Sequence, residues 1–130
     1  MSSTDVLIIE PSADLASVLT AAFERKGLRA ASAHTAQEGI AMADKRPPRM
    51  IVMELIMPNH NGVEFIHEFR SYPEWMRVPI IIYSHLAPGE LDLPPHKLEE
   101  IGIRGHFYKP NTSLAELVGA VESAFATEYN

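Results

Sequence analysis

Between Pro47-Pro48 and Glu54 the chain reads Arg49-Met50-Ile51-Val52-Met53, and Met50 to Met53 is apolar at every position. A strand with one face in water alternates apolar and polar side chains. A run without alternation fits a central strand of a parallel sheet, covered by helices on both faces. Such a strand delivers the residue that follows it, Glu54, to the crevice beyond the strand ends, where open α/β sheets place their sites. Pro58, Asn61 and Gly62 then read as a shaped loop before the next helix. On this stretch alone, a solvated glutamate and an ordinary turn fit equally well.

The rest of the chain alternates strand and helix. Val6 to Ile9 is a second continuous apolar run, closed by Glu10-Pro11. Ser12 is a plausible N-cap, and Leu15, Val18, Leu19, Ala22 and Phe23 share one helical face that ends before Gly27. Arg29 to Ala33 is a weak, alanine-rich strand, and Thr35-Ala36-Gln37-Glu38 has capping-box spacing. The helix it opens must stop near Lys45, because Pro47-Pro48 cannot continue it. A third helix is expected from Gly62 to Arg70, with Phe65 and Phe69 in the core, and Tyr72 to Met76 as a loop. There Trp75 and Met76 fit either a partner contact or a cap on the sheet edge.

Pro79 to Tyr83 is the fourth strand and ends at Ser84. Prolines 88, 94 and 95 with Gly89 break the next segment, leaving room for a short helix from Pro94 or Pro95 to Ile101. Gly105 to Tyr108 is the fifth strand, ending at Lys109-Pro110. Ser113 and Glu116 repeat the capping-box spacing ahead of a last helix that carries Leu114, Leu117, Val118, Val121 and Phe125 on one face. The five βα units predict an α/β three-layer sandwich with a five-stranded parallel sheet, in one domain spanning 1–130.

Composition narrows the function. A formal charge of −6 speaks against direct nucleic-acid binding by bulk electrostatics. The absence of cysteine excludes disulfides, cysteine-zinc sites and thiol catalysis. Met1 to Asp5 lacks the basic and apolar regions of a signal peptide, and no apolar stretch approaches the ~20 residues of a membrane span. A cytoplasmic location is therefore expected. Glu10, Glu54, Ser84 and Lys109 stand at four of the five strand ends, which brings two carboxylates, a hydroxyl and an ammonium to one crevice.

With those residues in place the chain resembles a receiver domain, the phospho-accepting module of bacterial two-component response regulators, over essentially its whole length. The family pattern has an acidic pair after strand 1 and an acceptor Asp four residues before a proline, with a glycine four residues further. A Ser or Thr follows strand 4, and Lys-Pro follows strand 5. Glu54, Pro58, Gly62, Ser84 and Lys109-Pro110 fall on that pattern. The resemblance implies the flavodoxin-like strand order 2-1-3-4-5, here with an irregular or shortened helix 4.

The departures carry the functional reading. Glu54 stands where the family has its acceptor Asp, and Glu10-Pro11 replaces the acidic pair. Pro11 thus takes the place of the usual direct metal ligand and offers no side-chain oxygen. Magnesium needs near-octahedral oxygen ligation, so no cofactor is expected, with Glu10 and Glu54 the candidate ligands if a metal binds. Glu54 carries its carboxylate one methylene, ~1.5 Å, further from the backbone. A misplacement of about 1 Å can cost ~100-fold in rate.

The expected function is therefore that of an atypical receiver, or pseudo-receiver, which is not an enzyme and acts through protein contacts without phosphotransfer. In a sharper form, Ser84 and Lys109 hold Glu54 as a built-in phosphate mimic. The alternatives are a working phospho- or metal-binding response regulator and a small α/β enzyme using Glu10, Glu54 and Lys109. The expected partner is a histidine kinase, an output protein or another receiver, with a homodimer left open. His106 occupies the family's switch position, usually Tyr or Phe, though an edge-strand histidine without a role fits as well. His60 and His85 fall near the crevice rim, where a transition-metal site is a further alternative.

Overall fold

A computed structural model describes residues 4–58 and 60–129. Five parallel strands form the sheet: β1 (Thr4–Ile9), β2 (Ala30–Ala33), β3 (Pro48–Met53), β4 (Ile80–Ser84) and β5 (Ile103–Tyr108). Their order is β2-β1-β3-β4-β5, the flavodoxin-like order expected. The alternation of side chains along each strand explains the unbroken apolar runs. Leu7, Ile9, Ile51 and Met53 face one layer of core, while Val6, Ile8, Met50 and Val52 face the other. Both faces are dry, so both sets must be apolar.

Among the described residues five α-helices cover the sheet: α1 (Ala13–Arg25), α2 (Ala36–Lys45), α3 (Gly62–Arg70), α4 (Pro95–Glu100) and α5 (Leu114–Tyr129). Phe23 on α1 joins Leu117 and Val121 on α5 in one core; Phe65 and Phe69 on α3 anchor the other. Burying each of these rings contributes about 2–3 kcal/mol. Local chemistry fixes where the helices start. Ser12 accepts from the Leu15 N–H at 3.2 Å, Thr35 from Glu38 at 3.1 Å and Asn61 from Glu64 at 2.8 Å. Ser113 and Glu116 complete a reciprocal capping box, whereas Glu38 reaches past Thr35 to the His34 N–H at 3.0 Å. Gly27, at φ +82°, closes α1.

Several boundaries differ from the sequence expectation. Backbone pairing extends β1 back to Thr4 and β3 back to Pro48, which face each other across the ladder. β5 starts at Ile103, opposite Ile80. The loop after β3 contains a small antiparallel hairpin, Ile56–Met57 against His60–Asn61. Tyr72 to Met76 contains a single 3-10 turn, Pro73–Trp75. Trp75 is 2 % exposed and stacks on Phe69 with ring centroids 4.8 Å apart, so it belongs to the core, while Met76 is exposed. As expected, α4 is short and is preceded by a 3-10 turn at Pro88–Glu90.

At the end of the sheet remote from Glu54, the Arg70 guanidinium donates to three backbone carbonyls: Ile101 at 2.8 Å, Trp75 at 2.7 Å and Val78 at 2.6 Å. It ties α3 to the segments that enter β4 and β5. Gly102, at φ +79°, turns directly over this guanidinium, leaving no space for a Cβ.

Candidate functional site

Glu10 follows β1, Glu54 follows β3, Ser84 ends β4 and Lys109 follows β5. Parallel pairing puts these four positions at one edge of the sheet, and their side chains meet there. Lys109 donates to Glu10 Oε1 at 2.6 Å and to Glu54 Oε1 at 2.8 Å. Ser84 Oγ donates to Glu54 Oε2. The Lys109 side chain is 7 % exposed and Glu54 is 3 % exposed, so the cluster is shielded from water. Beneath Lys109 lies the Tyr83 ring, with Nζ 5.5 Å from its centroid.

The backbone contributes as much as the side chains. Glu54 Oε2 also accepts from the Ile56 N–H at 3.0 Å, and Oε1 from the His85 N–H at 3.1 Å, with His85 Nδ1 a further 3.3 Å contact. Glu10 Oε2 accepts from the Ser12 N–H at 2.9 Å. All four carboxylate oxygens of the pair are thus engaged by N–H or O–H donors. Burial alone would push the Glu54 carboxyl up. Lys109, Ser84 and the Ile56 and His85 amides outweigh it and bring the pKa from 4.5 down to about 2. Burial likewise works against the Lys109 charge, but its bonds to Glu10 and Glu54 hold its pKa above the ordinary lysine value.

Pro11 sits beside Glu10 at the α1 turn and adds no donor or acceptor from its side chain. His106 lies apart from the carboxylates, on β5. Its Nε2 is 2.7 Å from the Leu86 carbonyl, and because a carbonyl only accepts, Nε2 carries the proton. Its Nδ1 is buried with no hydrogen-bond partner among the described residues. Leu86 in turn gives its N–H to Ser84 Oγ at 2.9 Å. A short chain of bonds therefore runs from Glu54 through Ser84 and Leu86 to His106. The His85 ring is at the rim, as expected; the His60 side chain lies outside the described residues. Among the described residues no three His, Asp or Glu side chains group as metal ligands.

Sequence reasoning named the four side chains but missed the amides of Ser12, Ile56, His85 and Leu86, which no residue type announces. The arrangement is built to hold a negative charge. Glu10 accepts two hydrogen bonds and Glu54 at least four.

Comparison with known proteins identifies the family. Residues 6–122 match the response regulator receiver domain. The chain is 37% identical over 81 residues to the KDP operon transcriptional regulatory protein KdpE of Escherichia coli, covering 62% of this chain but only 35% of that protein. It is 24% identical over 110 residues to sporulation initiation phosphotransferase F of Bacillus subtilis, covering 85% of each. The chain thus spans about a third of KdpE but most of the Bacillus protein. Among solved structures, a sensor protein from Polaromonas aligns with a TM-score of 0.83 at 21% identity, covering 97% of this chain and 98% of that one. Chemotaxis protein CheY4 of Vibrio cholerae aligns at 0.76 and 21% identity, covering 94% and 98%. These two likenesses speak for the fold. With the family match across nearly the whole sequence and the strand-end cluster in its expected place, the chain belongs to the response regulator receiver domain family.

Proposed function

We propose that this receiver domain transmits its signal by protein contact without phosphotransfer, with Glu54 as a permanent stand-in for a phosphoryl group. One observation carries the reading: the hydroxyl of Ser84, the ammonium of Lys109 and two backbone amides of the flanking loops already converge on the Glu54 carboxylate. These are the donors that an anionic group on a shorter acceptor side chain would recruit. The longer glutamate side chain supplies its own anion to them. The loops after β3 and β4 are then held in one arrangement regardless of any donor.

Receiver domains bind magnesium at the phosphorylation site in typical cases. The donor set of this chain does not suit that ion. Glu10 is engaged by Lys109 and Ser12, Glu54 by five donor atoms, and Pro11 provides no oxygen from its side chain. A hard cation would have to displace hydrogen bonds from a buried ammonium and would gain too few ligands in return. Receiver domains interact with histidine kinases and output domains, and this one is read as presenting a fixed surface to such a protein.

The test is intact mass after incubation with magnesium and acetyl phosphate, beside the Glu54→Asp, Pro11→Asp double variant. The reading expects no adduct on the natural protein and a gain of one phosphoryl mass on the double variant. An adduct on the natural protein would return the domain to the phosphorylatable receivers.

A further inference from the structure

Beside the Glu54 cluster runs an open apolar groove of about 530 Å³, floored by Leu55 and Gly62 and walled by Ile56, Met57, Val63 and Leu86. Gly62 is required in the floor, since a Cβ there would lie 2.6 Å from Leu55 Cα. Ile56 is 55 % exposed, an unusual position for a large aliphatic side chain beside a buried ionic cluster.

The two walls answer to one atom. Glu54 Oε2 accepts the Ile56 N–H on one side at 3.0 Å. On the other it accepts from Ser84 Oγ, which holds the Leu86 N–H at 2.9 Å. The spacing between Ile56 and Leu86 is therefore set by the same carboxylate that replaces the phosphoryl acceptor. The charge of the groove is one-sided. Among the described residues its lining includes the exposed carboxylate Glu64 and no cation. The N-terminus of α3 offers an anion little in compensation. The Gly62 N–H already donates to the Leu55 carbonyl at 2.7 Å, and that of Glu64 to Asn61 Oδ1 at 2.8 Å. Glu68, one turn further on the same face, is also exposed, and both residues add to a chain of net charge −6.

From these observations we infer that the groove is a docking site for a protein segment bearing a branched apolar side chain flanked by lysine or arginine. The apolar side chain would enter between Ile56 and Leu86, and the cations would face Glu64. The inference rests on the reading that Glu54 holds both walls in place, and it names the chemistry of the partner that this state would admit.

The experiment is an amide NMR titration of the whole chain with acetyl-lysyl-leucyl-leucyl-lysine amide, and with the counterpart in which both lysines are glutamate. Expected are shifts concentrated at Ile56, Met57, Gly62, Val63 and Leu86, with the acidic peptide bound at least about tenfold more weakly. Ile56→Lys, at an exposed position that leaves the fold intact, should weaken the basic peptide about tenfold. Glu64→Gln, which keeps the Oε1 acceptor that Asn61 Nδ2 reaches at 2.7 Å, should weaken it about threefold. Equal binding of the two peptides, shifts on another face, or unchanged affinity in Ile56→Lys would overturn the inference. Its failure is separable from that of the functional reading. A phosphoryl adduct on the natural protein would refute only the latter, and a silent titration with no adduct would refute only the groove.

Discussion

Replacing Glu54 by glutamine keeps the shape of the side chain and removes its charge, which makes it the sharpest probe of the buried cluster. One carboxylate oxygen becomes an NH2 group among five donor contacts. On the Oε1 side it would strand two donors, Lys109 Nζ and the His85 amide, neither of which can accept, with only the 3.3 Å contact to His85 Nδ1 able to accept, in one tautomer. It is therefore expected on the Oε2 side, where Ser84 can rotate to accept but the Ile56 N–H is stripped of its partner. One half-buried amide without an acceptor costs about 1–3 kcal/mol, and weakening the Lys109 bond to a neutral acceptor adds about 1 kcal/mol. Relief of the carboxylate's desolvation offsets part of this.

The lowered pKa of Glu54, which arises from the same bonds, gives a second figure. Its depression from 4.5 to about 2 corresponds to about 3 kcal/mol favouring the charged over the neutral form in the fold. Both routes place the destabilisation of Glu54→Gln at about 2–3 kcal/mol at pH 7. Urea unfolding should show the midpoint lowered by about 1–2 M with an unchanged slope. Because the folded pKa is the lower one, this stability is present above about 4.5 and is lost as pH falls toward about 2. The gap between natural protein and variant should narrow by about 2 kcal/mol between pH 7 and pH 3. A loss below about 0.5 kcal/mol, or a gap that stays constant across that range, would refute the claim that the cluster is built around the charged carboxylate.

Three further outcomes follow from the same geometry. Lys109→Met strands two buried carboxylates without a cation and should cost about 3–5 kcal/mol at pH 7 by the same urea assay, with a smaller cost in acid. Arg70→Lys retains the charge but cannot span the Ile101, Trp75 and Val78 carbonyls with a planar fork, so the melting temperature should fall by roughly 5 °C or more, with the strand-end cluster undisturbed in NMR spectra. His106→Phe removes the donor to the Leu86 carbonyl; it should cost about 1 kcal/mol and speed amide hydrogen exchange at Leu86 and Ala87 before any change in β1 or β3.

Most of the fold was legible because two periodicities rarely conflict in this chain. Met50 to Met53 fits a strand buried on both faces, and Leu15 to Phe23 a one-sided helix. Glu10, Glu54 and Ser84 were legible for the same reason, since each ends an apolar run, and Lys109 from its place after the fifth strand and before Pro110. Three features were hidden. Trp75 reads as loop because Pro73 and Glu74 precede it, yet Phe69, six residues earlier, gives its ring a stacking partner that only the folded chain supplies. The amides of Ile56 and His85 were hidden because their contribution depends on backbone direction after β3 and β4, not on residue type. His106 stood on β5 in both readings, but its bond to the Leu86 carbonyl spans 20 residues and leaves no local pattern.

The central claim is that the Glu54 carboxylate occupies the role of a phosphoryl group. Amide spectra can test it directly, by comparing the natural protein with the Glu54→Asp, Pro11→Asp double variant before and after adding magnesium and trifluoroberyllate, a tetrahedral phosphoryl analogue. The account predicts that the Ser84, His85, Leu86 and His106 resonances of the natural protein coincide with those of the variant carrying the analogue. Coincidence with the unloaded variant instead would show that Glu54 only pairs with Lys109 and imposes no phosphoryl-like state.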